Sequence, residues 1–494
     1  MQTFHLLFQA QVQVQAQANQ QENFNFRTLN EQTEGNSDQD NLILSGILIL
    51  FLQLGLSFIE ISFVQKKNWT NVLMKNFIDL NMSGLGFWLF GYGLAFGSGN
   101  WFCGTEYFAG HKINDFSFWF YNFAFASVGA TVVSGAWIGR AQFWFYVFFS
   151  FVNCGLIFPI VQHWEYSDDG WFSRYNTNVS VGVHDTAGAA SIHLLSSVIA
   201  LVGTKIMGPR AGKFQEKASP NGGNYPVYNE HRSALYLILG FLLLFIGWIP
   251  FNSGSYSSSY FFQQNSIVAH STLLFATAGT ISGVIISFYH YKEWIYHPEF
   301  IVHSSLSGLV ASSASSSFVM QGWEALVIGF IAPFPVYWVS NLLKRYKIDD
   351  PVGRISIHGV GSVCGLIANG LFANSNSDYD KKGLFFGGGF AILGMNTFFC
   401  LIVILYGLVC SFLFIWCVNK FFPITAPCDV QIAGLDASEH NYAIEGFLEN
   451  DKDSIIENET WSSTNSIDDL ELQKSGDNIE VPNSNNALVR TKSN

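Results

Sequence analysis

Long apolar stretches recur between Asn41 and Asn419 and are separated by short polar connectors. The hydrocarbon core of a bilayer is about 30 Å thick, and about 20 residues of helix cross it. The pattern therefore predicts an all-α polytopic membrane protein with eleven transmembrane helices. The predicted helices cover residues 42–64, 73–97, 118–138, 143–162, 185–204, 233–250, 265–289, 298–317, 323–343, 355–373 and 388–418.

The two ends of the chain lack this pattern. Residues 1–40 are rich in Gln and Asn and are predicted to be disordered. Residues 421–494 hold 14 Asp and Glu against 4 Lys and Arg, a net charge of −10 (4 − 14), and form an acidic tail. Within that tail, residues 434–443 (GLDASEHNYA) are predicted to be more structured than the Asn- and Ser-rich remainder. The membrane domain is thus predicted to be residues 41–420.

Composition narrows the functional classes. Only 12% of the residues are charged, about half the usual fraction of a soluble protein. This argues against a cytosolic enzyme or a nucleic-acid binder. The seven cysteines form no CxxC motif or Cys/His cluster, so neither a metal site nor a disulfide framework is expected. No nucleophile–base pair or phosphate-binding loop was found, and we expect no cofactor and no enzymatic activity.

Lys and Arg are distributed unequally between the two sets of connectors. Basic residues mark the cytoplasmic face of membrane proteins, so the amino terminus is predicted outside and the tail inside. The four on the opposite side are Lys112, Arg174, Lys381 and Lys382. The fifteen on the predicted cytoplasmic side are Lys66, Lys67, Lys75, Arg140, Lys205, Arg210, Lys213, Lys217, Arg232, Lys292, Lys344, Arg345, Lys347, Arg354 and Lys420.

Two histidines stand within predicted spans. His193 follows Asp185 by eight residues, which would place both on one side of a helix about 12 Å apart along its axis. His358 lies in another span, and small residues surround both histidines. Intramembrane ionisable residues are costly and mark functional sites. A polar spot in an apolar conduit is one interpretation, and a structural interhelical hydrogen bond is the other.

Three further acidic residues fall within predicted spans. Glu60, Asp79 and Glu324 each lie near an interface end or beside Asn and Ser. We expect water or an interhelical hydrogen bond to satisfy them, with no direct role in function.

Seven blocks of this sequence resemble those of the ammonium transporters of the Amt/Mep/Rh superfamily, and they are closer to the plant-type Amt branch than to the Rh branch. The resemblance covers about residues 40 to 445. The blocks are LQLGLSFIEISFVQKKN (52–68), FGYGLAFG (90–97), VVSGAWIGRAQF (132–143), FPIVQHWEYSDDGW (158–171), DTAGAASIHLLSSVIALVGTKIMGPR (185–210), GFLLLFIGWIPFNSGS (240–255) and DDPVGRISIHGVGSVCGLIANGLF (349–372).

The resemblance implies a homotrimer in which each protomer has its own pore. The first ten helices would form two inverted five-helix halves, followed by an eleventh helix. Its pore histidines would be His193 and His358, and Asp185 would stand near the outer vestibule. The gate would be Phe125 and Phe251. The outer recruitment site would use Phe125, Tyr166 and Ser255, with Tyr166 in place of the usual Trp.

The resemblance also implies what the protein carries. Ammonium or methylammonium would be recruited at the outer vestibule, deprotonated near the phenylalanine gate and conducted past the two histidines, while potassium is excluded. The resemblance places Ser438 at a regulatory phosphorylation site of the tail. Plasma membrane is the default location. The alternatives are an ammonium sensor that signals through its tail and a neutral-gas channel of the Rh kind.

Overall fold

The computed structural model describes residues 39–214, 232–254, 262–319, 321–374 and 381–442. Across these ranges the backbone forms sixteen α-helices and no β-strand, apart from two isolated β-bridges. The expected all-helical fold is confirmed. The helices are α1 (Gln39–Ile61), α2 (Trp69–Gly86), α3 (Tyr92–Phe96), α4 (Phe116–Gly135), α5 (Phe143–Val152), α6 (Phe158–Tyr166), α7 (Leu195–Met207), α8 (Ala234–Ser253), α9 (Phe262–Tyr291), α10 (Pro298–Ser315), α11 (Gly322–Ile331), α12 (Pro333–Arg345), α13 (Gly361–Phe372), α14 (Ala391–Phe421), α15 (Cys428–Ala433) and α16 (Leu435–His440).

Each of the eleven predicted spans is helical in the structure. Nine stretches of the described chain are long and apolar enough to cross a membrane. The other two predicted spans correspond to 69–96, which holds Lys75 and Asp79, and to the Ser-rich α10. The number eleven therefore stays a prediction. The nine are Gln39–Ile61, Phe116–Gly135, Phe143–Tyr166, Ala189–Met207, Ala234–Ser253, Asn265–Tyr291, Gly322–Arg345, Ile355–Phe372 and Ala391–Phe421.

In the described part of the chain, four π-helical turns adjoin α-helices. Such turns are rare and occur often at functional sites, because they widen the helix and redirect its side chains. Two of them precede α7 and α13, and these carry His193 and His358 respectively. The four turns are Phe87–Gly91, Asn153–Ile157, Ala189–Leu194 and Ile355–Val360.

Glycines let two pairs of helices touch through their backbones. A Cβ atom on Gly55 of α1 would lie 2.5 Å from the carbonyl oxygen of Gly240 in α8, and one on Gly240 would lie 2.7 Å from the Gly55 oxygen. The α9–α10 contact is built similarly, since a Cβ on Gly308 would lie 2.4 Å from the Phe275 oxygen. Small residues at such crossings permit close packing where lipid supplies no hydrophobic driving force.

Several basic residues assigned to connectors are buried in the structure. Lys75 lies inside α2 and is fully buried, so its assignment to a loop is wrong. Arg140 and Arg210 are buried against Asp349, at 3.1 and 2.7 Å between the paired atoms. Burial opposes ionisation of Asp349, but the two guanidinium groups outweigh burial and hold its pKa well below the usual value.

The beginning of the tail packs against one end of the helices, which we call the tail end. The Asp436 carboxylate accepts hydrogen bonds from the backbone N–H groups of Thr70 and Asn71, at 3.0 and 2.7 Å. The Asn68 side chain accepts one from the Leu435 N–H at 2.8 Å. The first two bonds satisfy orphan donors in the first turn of α2, and the third satisfies one in the first turn of α16. Residues 434–442 belong to the described chain, whereas 1–38 and 443–494 lie outside the described residues.

Candidate functional site

Two stacked phenylalanines close the predicted conduit. Phe125 of α4 and Phe251 of α8 lie with ring centroids 4.4 Å apart and planes 18° from parallel. Both rings are buried. The Tyr121 hydroxyl donates a hydrogen bond to the Phe251 carbonyl oxygen at 2.8 Å and so ties α4 to α8 beside the rings. The two side chains predicted as a gate are therefore in direct contact.

The two histidines meet beyond the phenylalanines. Their Nδ1 atoms are 3.2 Å apart, and their ring centroids are separated by 5.0 Å. His193 also stacks on Trp248 at 5.3 Å and lies 5.7 Å from Phe251. Phe125, Phe251, His193 and His358 form a continuous column of rings, which we call the ring column. Both interpretations of the histidines agree with this mutual hydrogen bond.

The second ring nitrogen of each histidine, Nε2, separates the two interpretations. Neither Nε2 of His193 nor Nε2 of His358 has a hydrogen-bond partner among the described residues, although both side chains are buried. Buried polar atoms are normally paired, and an exception calls for an explanation. A purely structural pair would leave two such atoms unsatisfied. A small molecule with hydrogen-bonding capacity, passing along the ring column, would satisfy them.

A repeated backbone motif positions each histidine. Asp185 precedes His193 by eight residues, and its carboxylate accepts hydrogen bonds from the N–H groups of Ala189 and Ala190 at 2.9 and 2.8 Å. Gly188 between them has a φ of 70°, a left-handed conformation that glycine adopts at little cost. Asp185 therefore caps the π-turn from the preceding loop. The expectation that Asp185 and His193 share one helix is wrong.

The second copy of the motif has the same geometry. The Asp350 carboxylate accepts hydrogen bonds from the N–H groups of Arg354 and Ile355, both at 2.8 Å, and Gly353 has a φ of 75°. His358 again follows the aspartate by eight residues. Asp349 and Asp350 stand side by side in the sequence, and either could cap this helix; the structure shows that Asp350 does. The common spacing of DTAGAASIH and DPVGRISIH is the sequence signal that relates the two motifs.

A cavity of about 260 Å³ opens on the other side of Phe125. We call it the vestibule, and its end of the molecule the vestibule end. Phe125 and Tyr166 line it as predicted, and Asn122, Gln162, Asp168 and Tyr175 also line it but were not predicted. The Tyr166 hydroxyl accepts a hydrogen bond from the Gly188 N–H at 2.6 Å, which couples the vestibule to the first motif. Ser255 lies outside the described residues.

A second carboxyl group lies beside Asp185. Glu165 is buried, and neither of its oxygens has a hydrogen-bond partner at normal geometry in the described chain. Its polar neighbours are Asp185 and Ser191. Glu165 was missed because the span predicted from the sequence ended at residue 162, whereas the helix continues to Tyr166.

Glu60, Asp79 and Glu324 each have an ion-pair or hydrogen-bond partner, as the sequence led us to expect. Glu60 and Asp79 both pair with Lys75, at 2.9 and 3.4 Å. Glu324 accepts a hydrogen bond from the Gln321 N–H at 3.0 Å in a capping box at the start of α11. The pairing with a buried lysine was not foreseen.

Ser438 lies in α16, away from the ring column. Its side chain is exposed, and its hydroxyl donates a hydrogen bond to the Gly434 carbonyl oxygen at 3.0 Å. Asp436, which caps α2, is two residues away.

Among the described residues there is no cluster of three or more His, Cys, Asp or Glu that could hold a metal ion.

Comparisons with known proteins agree on one family. The model of the Ammonium Transporter Family matches residues 41–444. Ammonium transporter 1 member 3 of Solanum lycopersicum is 30% identical over 425 residues, which cover 81% of this chain and 91% of that protein. Ammonium transporter Amt2 of Archaeoglobus fulgidus is 30% identical over 436 residues, which cover 84% of this chain and 89% of that protein.

Solved structures show the same fold. A structure named Sensor Amt Protein has a TM-score of 0.72 and 26% sequence identity, covering 83% of this chain and 99% of its own. The crystal structure of Candida albicans Mep2 has a TM-score of 0.69 with coverage of 80% and 87%; its identity of 20% supports the fold alone.

Proposed function

The chain belongs to the Ammonium Transporter Family, and on that premise we propose that it conducts ammonium, as ammonia, through the ring column. The observation that carries the proposal is the buried His193–His358 pair, whose Nδ1 atoms are 3.2 Å apart and whose Nε2 atoms are both without a partner among the described residues. The pair lies directly behind two stacked phenylalanines.

Recruitment takes place in the vestibule. The faces of Phe125 and Tyr166 attract a cation, and the nearby Asp168 carboxylate adds negative potential. Ser255 contributes a hydroxyl acceptor in the family pattern. Ammonium offers four hydrogen-bond donors, whereas potassium offers none, so acceptors in this cavity favour ammonium over potassium.

Deprotonation takes place at the phenylalanine gate. A bare cation between two buried rings has lost its hydration, and burying an unpaired charge costs many kcal/mol. Ammonium lowers this cost when it leaves its proton on the vestibule side and passes as ammonia. Potassium has no such alternative and is rejected.

The imidazoles then hold the neutral molecule. A neutral imidazole has one N–H donor and one acceptor nitrogen. Because the two Nδ1 atoms share one hydrogen bond, one Nε2 is a donor and the other is an acceptor. Ammonia has one lone pair and three N–H groups and can bind both.

The orientation, location and assembly of the protein belong to the same proposal. Without the buried Lys75, fourteen of the basic residues assigned to the tail side remain (15 − 1), against four on the vestibule side, and this excess supports a cytoplasmic tail. We infer a plasma-membrane homotrimer with one ring column in each protomer. Ser438 is exposed and lies two residues after Asp436, the carboxylate that caps α2. A phosphate on Ser438 would repel this carboxylate and weaken the packing of the tail on α2.

The test is uptake of labelled methylammonium by the full chain in ammonium-uptake-deficient cells. Wild type should restore growth on low ammonium and take up the label, and His193→Ala with His358→Ala should lose at least 90% of that uptake. His111→Ala is the control, because His111 is exposed in a turn before α4 and lies outside the ring column. Unchanged uptake in the double variant would reject the proposal. A wild type that binds ammonium but cannot rescue growth would be a sensor.

A further inference from the structure

Four charged side chains are buried together at the tail end of the ring column. Arg354 Nη2 lies 3.1 Å from Glu60 Oε1, and Lys75 Nζ lies 2.9 Å from Glu60 Oε2 and 3.4 Å from Asp79. None of the four is more than 1% exposed. Ordinary conduction of ammonia requires none of these charges, and ionised groups at membrane depth are expensive to keep.

Every carboxylate oxygen of this cluster is already in use. Glu60 accepts hydrogen bonds from Arg354 on one oxygen, and Lys75 and Asn76 bond the other. The Asp79 oxygens accept hydrogen bonds from the hydroxyls of Ser134 and Ser150, each at 2.5 Å. The cluster therefore has no free acceptor to offer a passing cation. Arg354, in contrast, keeps an N–H donor, since its Nε has no partner among the described residues.

Arg354 is the cluster member nearest in sequence to the ring column. It directly precedes the π-turn that carries His358 four residues later, so its positive charge stands about one helical turn before that histidine.

The far end of α4 holds this ion pair in place. A Cβ atom on Gly135 would lie 2.4 Å from Glu60 Oε1 and 2.8 Å from Arg354 Nε, so the pair packs directly on the α4 backbone. Gly135 lies ten residues along α4 from the gate residue Phe125, or about 15 Å. The phenylalanine gate and the ion pair thus stand at opposite ends of the ring column.

We propose that Arg354, oriented by Glu60, is a specificity-determining residue that admits neutral ammonia from the histidine pair and repels cations. A guanidinium group has donors and no acceptor. It can donate a hydrogen bond to the lone pair of ammonia, whereas ammonium and potassium have no lone pair for it. The inference rests on the proposed ammonium route and assigns to its inner half a filter separate from the phenylalanine gate.

Potassium flux tests this filter, because potassium has no neutral form. The full chain is reconstituted into proteoliposomes, and potassium uptake is measured beside uptake of labelled methylammonium. The variant Glu60→Gln with Arg354→Met removes one charge of each sign. We expect its potassium uptake to be at least tenfold that of wild type, because Arg354 and dehydration both oppose a cation at the His358 position.

Two matched variants separate charge from general damage. Lys75→Met with Asp79→Asn alters the same cluster but leaves the Glu60–Arg354 pair, and Arg354→Lys keeps a charged donor; both should exclude potassium as wild type does. If the double variant is unfolded by gel filtration, Arg354→Gln replaces it, since Glu60 keeps Lys75 and Asn76.

The outcomes distinguish the two proposals. A folded variant without the Arg354 charge that excludes potassium as well as wild type overturns the role of Arg354 while leaving ammonium conduction intact. Equal potassium leakage in the Lys75/Asp79 variant also overturns it, because the effect would then belong to the cluster as a whole. A wild type without methylammonium uptake would instead reject the ammonium route itself.

Discussion

The two π-turn motifs have nearly the same backbone but different chemistry. In each, an aspartate caps two N–H groups, a left-handed glycine follows, and a histidine stands eight residues after the aspartate. At the position four residues after the aspartate, the first motif has Ala189 and the second has Arg354. In the first motif, the Gly188 N–H donates a hydrogen bond to the hydroxyl of Tyr166, which lines the vestibule. In the second motif, Arg354 pairs with the buried Glu60.

The difference shows how two copies of one backbone motif can carry different selectivity for charged and neutral molecules. The common geometry positions the two imidazoles. The residue four positions after the aspartate, Ala189 or Arg354, sets the charge beside each histidine. A small residue at Ala189 leaves the first motif uncharged at this position, while Arg354 puts a fixed positive charge at the inner end. Such opposed chemistry suits a route that begins with a cation and continues with a neutral molecule.

The residue before each capping aspartate gives the largest expected contrast. It is His184 in the first motif and Asp349 in the second, where Asp349 pairs with Arg140 and Arg210. Replacing Asp349 by Asn should cost about 3 kcal/mol of stability at pH 7, because it leaves buried guanidinium groups without a counter-charge. His184→Asn should cost much less. Thermal unfolding of the purified variants in detergent checks both.

The pH dependence of this loss has a definite sign. The pKa of Asp349 is lower in the folded protein than in the unfolded chain, since the guanidinium groups outweigh burial. Its stabilising contribution is therefore complete above about pH 4 and is lost as the pH falls below that value toward the folded pKa. The gap between wild type and Asp349→Asn should stay constant from pH 8 to 5. A gap that narrows in that range would contradict the assignment.

The two capping aspartates are expected to be equivalent. Asp185→Asn and Asp350→Asn each leave one of two backbone donors without its acceptor, at about 2 kcal/mol each. Because the four hydrogen bonds measure 2.8 to 2.9 Å, the two losses should agree within about 1 kcal/mol. Denaturant unfolding monitored by circular dichroism checks this. If only one of the two variants lost stability, the two motifs would not be energetically equivalent.

The smallest expected effect lies in the vestibule. Tyr166→Trp offers a stronger cation–π face, worth about 0.5 to 1 kcal/mol, and should lower the methylammonium concentration for half-maximal uptake by about two- to fivefold. Tyr166→Phe should instead lose the acceptor for the Gly188 N–H and reduce the maximal rate. Concentration series of uptake in whole cells distinguish the two. A Trp variant with weaker apparent affinity would argue against recruitment by ring faces.

Some of the predicted site residues contact one another in the structure as the resemblance implied, and others do not. Phe125 and Phe251 stack, and His193 and His358 bond each other, as the resemblance implied. Asp185 has its carboxylate turned to the backbone of the next turn. The reason is that the helix begins at the π-turn, four residues later than the apolar pattern suggested, because Gly188 interrupts it. Glu165 and Asp168 were missed because isolated acids near a helix end carry no periodic signal.

The sequence by itself determined the helical regions, since apolar runs of membrane length are a local property that any packing must respect. It also marked the two histidines, because ionisable groups in apolar runs are rare. Only the tertiary structure decided that Glu60 pairs with Arg354 across 294 residues of chain, and that Lys75 is buried beside them. The partner of a buried charge depends on which helices pack together, and that contact is written in no single stretch of sequence.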